Sequence, residues 1–527
     1  MRNVPHRDWI LAVSMANLCL LRTWDWLLGK SILSPVPAAG DYRAVLGNLF
    51  LLSLVWRLLL TLGRSSDHRA IRKGFRLAPL FAGVIVLDSL RTSVVALPNL
   101  RVLTHLLGRT GVLVVAVLLP LTGVFLVAKY SQHFLRAVEI FFLITSPFLV
   151  LTVGQAAWHA IRSSSTPSVP AGASAENPVP SVAARPRIIW FLFDELDQGI
   201  LFEHRPPLLR LPELERFQQT AFYATQAIPP GTTTRVSVPG MMSGQIFLSS
   251  EPGPEDFMVT REPNVEALSW RSYNNVFAEA RAAGFHSAVA GWYFPYCRLL
   301  GSYTDECTWE AMSWFSSREP GGFGGRMVAQ LRAILPLTAR QGVIEKYNFV
   351  LDRAKNLVGN SRYDLIYVHW PIPHAPGIYD SARRRFIVFP LRHLQDWYAN
   401  NLALVDFSLG EIRRVMEEEG GWNTTSVLIT SDHPLRPEYR LDGSSERRVP
   451  FLLKLAGQDQ SFHYDKPFNT LIIHQLILAV LRNEISQPED LARWLDEHAP
   501  ASLSGSDIPL DESNQFKKPL SNKIRKE

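Results

Sequence analysis

Three short stretches of this chain carry side chains that could do chemistry together. The first is Pro230-Gly231-Thr232-Thr233-Thr234-Arg235-Val236-Ser237-Val238-Pro239, a Gly/Pro-bounded loop crowded with hydroxyls and running into Met241-Met242-Ser243-Gly244. Hydroxyls are poor nucleophiles near neutral pH unless a base or a metal lowers their pKa, so ligands for such a metal are the next thing to seek. Asp194 and Glu195 follow Arg187-Ile188-Ile189-Trp190-Phe191-Leu192-Phe193, and Asp432-His433 follows Ser426-Val427-Leu428-Ile429-Thr430-Ser431. Both apolar runs read as buried strands, and the carboxyl ends of such strands are where α/β sheets gather their sites. Carboxylate oxygens with one imidazole suit Zn²⁺ or Mn²⁺ better than Ca²⁺. Taken singly, a threonine-rich loop or an acid after a strand is an ordinary turn or cap.

Taken in this order, the stretches resemble the alkaline phosphatase and sulfatase superfamily over residues 187–482. Within it, the Gly-Thr-x-Thr-x-x-Ser-Val-Pro pattern of residues 231–239 is most similar to the membrane phosphoethanolamine transferases. The resemblance implies that Thr234 is the phosphoryl carrier. It implies Asp194 as the metal ligand of the first strand, Glu195 as a second candidate there, and Asp432 and His433 as the late ligands. His374, in His369-Trp370-Pro371-Ile372-Pro373-His374, matches a His-x-Pro element that contacts the substrate or a second metal, whereas His369 reads as structural. The 398–410 segment resembles the helix that precedes the Asp-His strand in that family. The implied reaction is transfer of a phospho-alcohol group, phosphoethanolamine or phosphoglycerol, from a membrane phospholipid to an envelope glycan or lipid. The rivals are a membrane-anchored hydrolase or phosphodiesterase and an inactive envelope scaffold. Two departures narrow the match: Gly240 stands where those transferases carry Cys, and Pro434 stands where they carry Gly. The threonine segment also lacks the Cys/Ser-x-Pro-x-Arg context that sulfatases need for formylglycine.

The elements that would position these residues alternate. Helices are expected over 211–217, 274–283, 326–335, 343–357, 391–419 and 468–482, and strands over 221–228, 285–292, 363–369 and 449–455. Such alternation argues an α/β domain with a mostly parallel central sheet and helices on both faces. It is expected to occupy 187–501, after an α-helical membrane domain at 1–160 and a Ser/Pro/Ala-rich linker at 161–186, with a polar tail at 502–527.

The chain has 527 residues, 47% of them hydrophobic and 19% charged. The apolar residues concentrate at the front, in stretches at 9–28, 42–62, 77–97, 111–129 and 137–158, each near the roughly 20 residues that cross a bilayer. Arg64, Arg69, Arg72, Lys73 and Arg76 crowd the second connection and Lys129 and Arg136 flank the fourth stretch, beside Arg2 and Arg7. The positive-inside rule places these in the cytoplasm and, with five spans, puts the α/β domain outside a bacterial inner membrane. Much of the net charge of +6 lies in those loops and the Lys/Arg-rich end, and no nucleic-acid motif is visible. Charges inside the stretches, Arg22 with Asp25, Arg57, and Asp88 with Arg91, either neutralise one another or line a path for a lipid headgroup. Cys297 and Cys307 are close enough for a disulfide in an exported compartment.

Overall fold

The computed structural model describes residues 5–66, 68–93, 132–162, 185–311, 315, 321–334, 339–388, 397–437 and 446–499. The expected fourth stretch at 111–129, most of the linker and the 502–527 tail lie outside the described residues. Two compact units form, one of residues 1–30, 35–168 and 314–338, the other of residues 31–34, 169–313 and 339–527. Two segments thus cross the expected boundary. Residues 314–338 join the helical unit, and residues 31–34 join the α/β unit.

The α/β unit is built on an eight-stranded sheet. In chain order its strands are Ile188–Asp194 (β1), Phe222–Ala224 (β2), Ser287–Trp292 (β3), Glu306–Glu310 (β4), Leu365–Pro373 (β5), Ser426–Ser431 (β6), Phe451–Lys454 (β7) and Phe462–Tyr464 (β8). Their spatial order is β8-β2-β7-β6-β1-β5-β3-β4. The run from β6 to β4 is parallel throughout, while β7 is antiparallel to both of its neighbours. Every residue of β1 is buried, as a central strand covered on both faces must be. Its side chains alternate: Ile188, Trp190 and Leu192 enter one core, and Ile189, Phe191 and Phe193 the other. Helices Thr234–Ser243, Val276–Ala282, Ile473–Leu481 and Pro488–His498 supply the first core, and Pro212–Gln218, Ala339–Val358 and Trp397–Glu418 the second.

Register brings the strand ends together. Phe193 pairs with Ser431 of β6, so Asp194 arrives beside Asp432. On the other side a shift after Phe193 sets Asp194 opposite Pro373, the residue before His374.

The sequence reading missed β4, the three-stranded sheet of Ser249–Pro252, Phe257–Thr260 and Leu268–Ser269, and the helix Pro488–His498. It also took 230–239 as a loop, yet Thr234–Ser243 is helical with Pro239 inside it. Proline cannot donate to the carbonyl four residues back and normally breaks a helix there. Here the Arg235 carbonyl accepts the Ser250 hydroxyl at 2.6 Å instead, so the missing bond is replaced by one from the missed sheet. Cys297 and Cys307 are joined by a disulfide, with Cα atoms 5.5 Å apart.

In the helical unit, Ala39–Ser65 is the one helix among the described residues that is long and apolar enough by itself to cross a membrane, with mean hydropathy 1.9 over its best window. The stretch at 137–158 is a pair, Gln132–Ile144 and Phe148–Arg162, bent by 43°. The 9–28 stretch breaks into Pro5–Cys19 and Leu21–Leu28, and the 77–97 stretch is described as the 16-residue helix Ala78–Ser93. Five separate spans are therefore not what the described residues present. Polar groups hold this unit together from within. Asn48 donates to Gln330 Oε1 at 3.0 Å, Gln330 to the Asp41 carbonyl at 2.8 Å, and Arg326 pairs with Asp41 at 2.7 Å.

Candidate functional site

The turn after β6 is fixed by its own polar atoms. Ser431 Oγ donates to the Phe193 carbonyl at 2.7 Å and accepts the Leu196 amide at 2.8 Å, which locks the ends of β1 and β6 against each other. Asp432 Oδ1 accepts the amides of His433 and Glu195 at 2.9 and 3.2 Å. Its other oxygen, Oδ2, accepts the hydroxyl of Thr234 at 2.6 Å. Thr234 is the first residue of the ten-residue helix after the extended cap Thr233, a position where the first turn's unpaired amides favour negative charge.

His433 lies with Nε2 3.5 Å from Asp432 Oδ2 and 3.8 Å from Asp194 Oδ1. Its Nδ1 is 3.0 Å from the Pro434 carbonyl, which can only accept, so Nδ1 carries the proton and the Nε2 lone pair faces the two carboxylates. A backbone carbonyl is all this needs, and proline supplies one as well as glycine. Ligand atoms of Asp194, Asp432 and His433 all lie within 4.8 Å of one another, and all three residues are buried. Asp194 Oδ1 and His433 Nε2 have no hydrogen-bond partner. Two buried carboxylates and an imidazole lone pair that converge, with Asp194 Oδ1 and His433 Nε2 left without hydrogen-bond partners, are a poor arrangement for a protein alone and a good one for a divalent cation, so the residues fit that group. The electrostatics agree. Burial, then the Asp432 charge, holds the Asp194 carboxyl well above its ordinary range. Burial alone would raise Asp432 too, but His433, His369, the Thr234 hydroxyl and the Glu195 amide bring it below.

Glu195 stands outside that group of three, with both carboxylate oxygens buried and without a hydrogen-bond partner. Its backbone is in the left-handed region at φ 66°, its carbonyl accepts the Tyr398 hydroxyl at 2.7 Å, and its Oε1 lies 2.9 Å from Arg436 Nε. Burial pushes its carboxyl up to about 7 against the opposing pull of His374 and Arg436. His374 is buried over the same area, with Nδ1 2.5 Å from the Ala375 carbonyl and its ring 5.7 Å from that of Trp292. Asn401 holds this turn, donating to the carbonyls of Pro373 and His374, both at 3.2 Å, while accepting the Ile378 amide at 3.1 Å. His369, fully buried, meets the Tyr296 hydroxyl at 2.7 Å, and burial lowers its pKa to about 4. Asp406, in the helix of the 398–410 segment, is buried and accepts the Leu214 amide at 2.8 Å at the start of a helix.

The structure thus gathers Asp194, Thr234, Asp432 and His433, sets His374 beside them and turns Glu195 towards Arg436. Sequence reasoning passed over Arg436, Asn401, Tyr398 and Ser431. Arg436 carried a signal, being three residues after His433 in a stretch already noted for Pro434. The others act through backbone contacts that no side-chain pattern announces.

The model of the sulfatase family matches residues 186–477, more than half of the chain. The chain belongs to the sulfatase family. The matched span begins just before β1 and runs into the helix Ile473–Leu481, so this sulfatase domain contains every site residue named above. Solved structures with the fold of the alkaline phosphatase superfamily resemble it at low identity. Ps i-CgsB is 14% identical, with 58% of this chain and 74% of that one covered and a TM-score of 0.42. A protein in the alkaline phosphatase superfamily from Vibrio parahaemolyticus is 15% identical, covering 57% and 67%, with a TM-score of 0.38. The phosphonate monoester hydrolase of Agrobacterium radiobacter is 12% identical, covering 56% and 74%, with a TM-score of 0.37. No curated protein matches the chain.

Proposed function

We propose that this sulfatase-family protein transfers a phospho-alcohol group, of phosphoethanolamine or phosphoglycerol type, from a membrane phospholipid to an envelope glycan or lipid by way of phospho-threonine at Thr234. The reading is carried by the 2.6 Å hydrogen bond from Thr234 to Asp432, one member of the buried Asp194/Asp432/His433 cluster. Those three residues would hold a divalent cation, Zn²⁺ or Mn²⁺ by donor type. When bound, the cation supplies positive charge that favours the ionised hydroxyl and the phosphoryl oxygens.

The side chains of this protein do the rest. Thr234 Oγ1 bonds to phosphorus while its proton passes to Asp432, and the bond from phosphorus to the lipid's glycerol oxygen breaks. That oxygen takes up a proton and leaves as diacylglycerol. An acceptor hydroxyl then bonds to phosphorus, the Thr234 ester breaks, and Thr234 regains a proton. The helix N-terminus beneath Thr234 favours the alkoxide at both stages.

A lipid donor is supported by the outward apolar side chains of Ala39–Ser65, among them Phe50, Leu51, Leu54, Val55 and Leu58, and of Ala78–Ser93, where Phe81, Val84 and Leu87 are exposed at helical spacing. On this reading the protein lies in a bacterial inner membrane with the sulfatase domain on the outer side, a reading supported by those faces and the basic connections. The family match favours a second reading, in which water is the acceptor and the protein is a hydrolase. The two readings separate by acceptor. With lipid donor in mixed micelles, a transferase releases diacylglycerol faster when envelope glycan or lipid is added, whereas a hydrolase turns over at the same rate with or without it.

A further inference from the structure

Shortly after His374 the chain folds back in a small hairpin, Tyr379–Asp380 paired antiparallel with Arg385–Phe386. Its residues from Ser381 to Phe386 are all exposed, and Arg383, Arg384 and Arg385 follow one another there. Asp380 takes the Arg383 guanidinium at 2.9 Å and accepts the Arg383 amide at 3.1 Å. Arg384 and Arg385 pair with no carboxylate among the described residues, and three arginines against one aspartate leave the hairpin a net charge of +2. Adjacent like charges that bury nothing repel one another, so they are of use only to a partner of opposite sign. Arg384 stands in the left-handed region at φ 50°, where a turn ordinarily places Gly or Asn.

The hairpin is nevertheless anchored. Asn400 accepts the Ser381 amide at 2.8 Å and its hydroxyl at 2.7 Å, Arg340 Nε donates to the Gly377 carbonyl at 3.0 Å, and the Phe386 ring lies 5.6 Å from that of Tyr347. Asn401, the next residue of the helix Trp397–Glu418, accepts the Ile378 amide at 3.1 Å and donates to the carbonyls of Pro373 and His374 at 3.2 Å. One side chain thus fixes both the root of the hairpin and the turn that carries His374. A basic tip joined in this way to the candidate site suits an extended anion that also reaches the site. Between Asp380 and Arg385 the tip holds no large apolar side chain, and Phe386 turns towards Tyr347 and Tyr379, so it offers nothing to bury in a bilayer and fits a hydrated polyanion better than a lipid surface.

We propose that Arg384 and Arg385 bind the anionic groups, phosphate or carboxylate, of an envelope glycan, and so hold the acceptor by a part of its chain remote from the reacting hydroxyl. A guanidinium fork matches either oxyanion. Naming the glycan as acceptor rests on the transfer reading above, but its binding needs no turnover. Full-length protein in neutral-detergent micelles is titrated with labelled dextran phosphate, carboxymethyl dextran and uncharged dextran by fluorescence anisotropy, and with phosphatidylcholine bicelles with and without phosphatidylglycerol. The double variant Arg384→Gly, Arg385→Thr removes both charges while suiting the left-handed position and the strand. Its affinity for an anionic dextran is expected to fall about 5- to 30-fold at low salt, the range for two exposed charged contacts. The slope of log affinity against log salt should fall by about 1 to 2. Asp380→Asn keeps an oxygen for the Arg383 amide but releases its guanidinium, so affinity should rise about 2- to 5-fold, a gain that a purely structural hairpin would not give. Equal binding of charged and uncharged dextran, or anionic binding unchanged in the double variant, would overturn the proposal. So would a loss confined to the phosphatidylglycerol bicelles, which would assign the tip to a lipid surface. Wild-type turnover that ignores added acceptor would instead count against the transfer reading and leave these binding constants interpretable.

Discussion

Replacing Asp432 by Asn separates its role in holding a cation from its role in the fold. The amide keeps an oxygen for the His433 and Glu195 amides, at 2.9 and 3.2 Å in the native protein, so the turn should survive. What is lost is a charge whose ligand oxygen lies within 4.8 Å of one from Asp194. Two charges at that separation repel by on the order of 3 kcal/mol at an effective dielectric constant near 20, a ceiling because the Asp194 carboxyl is already pushed towards its neutral form. That relief is offset by the contacts with His433, His369 and Thr234 that hold the Asp432 carboxyl below its ordinary range, so metal-free Asp432→Asn should be close in stability to the metal-free native protein. Metal separates the two. A cation present at about 100 to 1,000 times its Kd stabilises the native fold by roughly 2.7 to 4.1 kcal/mol, and at about 2–4 °C per kcal/mol the melting temperature rises by roughly 5–10 °C. The variant, with two of three ligands, should show little of this rise. Differential scanning fluorimetry of full-length protein, with chelator and with Zn²⁺ or Mn²⁺, measures all four states. Equal metal-induced shifts in native protein and variant would refute the assignment of Asp432 as a ligand. A variant much less stable than native protein under chelator would refute the claim of buried charge repulsion.

Thr234→Ala removes the nucleophile and should cost on the order of 10³-fold or more in turnover, with no phospho-adduct found by mass spectrometry, while Thr233→Ser should cost far less. Burial raises the Asp406 carboxyl to about 6. A folded pKa above the unfolded one gives stability that is complete below about pH 4 and lost as pH rises through 6, so Asp406→Asn should gain on native protein by on the order of 2 kcal/mol between pH 3 and pH 7 in denaturant titrations. Cys307→Ser opens a short loop and should cost roughly 2–3 kcal/mol, with no matching loss in native protein alkylated without reduction. For topology, a reporter fused after Lys73 should report cytoplasm and one fused after Ser502 the outer compartment.

The parallel core was readable because β1, β5 and β6 are mostly apolar runs, the pattern of strands buried on both faces, and because acids and histidines follow them. Asp194, Asp432 and His433 were legible for the same reason: register aligns strand ends, and strand ends could be seen. The helix at Thr234 was not. Its sequence holds Pro239 and a Gly-bounded start, and only the Ser250 hydroxyl, from a sheet with no clear alternation, makes a proline tolerable there. Glu195 entered as a second candidate by adjacency to Asp194; its φ of 66° and its ion pair with Arg436 could not be read from the sequence, because backbone handedness at a non-glycine residue leaves no mark in composition.

The charges of the helical unit were visible too, but their partners were not. Spacing of three residues suggested that Arg22 would face Asp25 on its own helix and Asp88 would face Arg91, whose side chain lies outside what the structure describes. Arg22 reaches across to Asp88 at 2.5 Å and to the Ala333 carbonyl at 2.8 Å, while Asp8 lies 3.7 Å from Arg57 and pairs with Arg64. Helix-face arithmetic counts only neighbours on one helix, whereas an apolar environment selects whichever partner neutralises a charge most completely. The side chain of Arg22 is almost wholly buried, at 2%, so removing Asp88 would strand a charge within the helices, a change that costs about 3–5 kcal/mol in buried pairs. These contacts favour neutralisation over a headgroup path. A lipid's phosphate would have to displace Asp88 from Arg22, trading a carboxylate already in place for another anion.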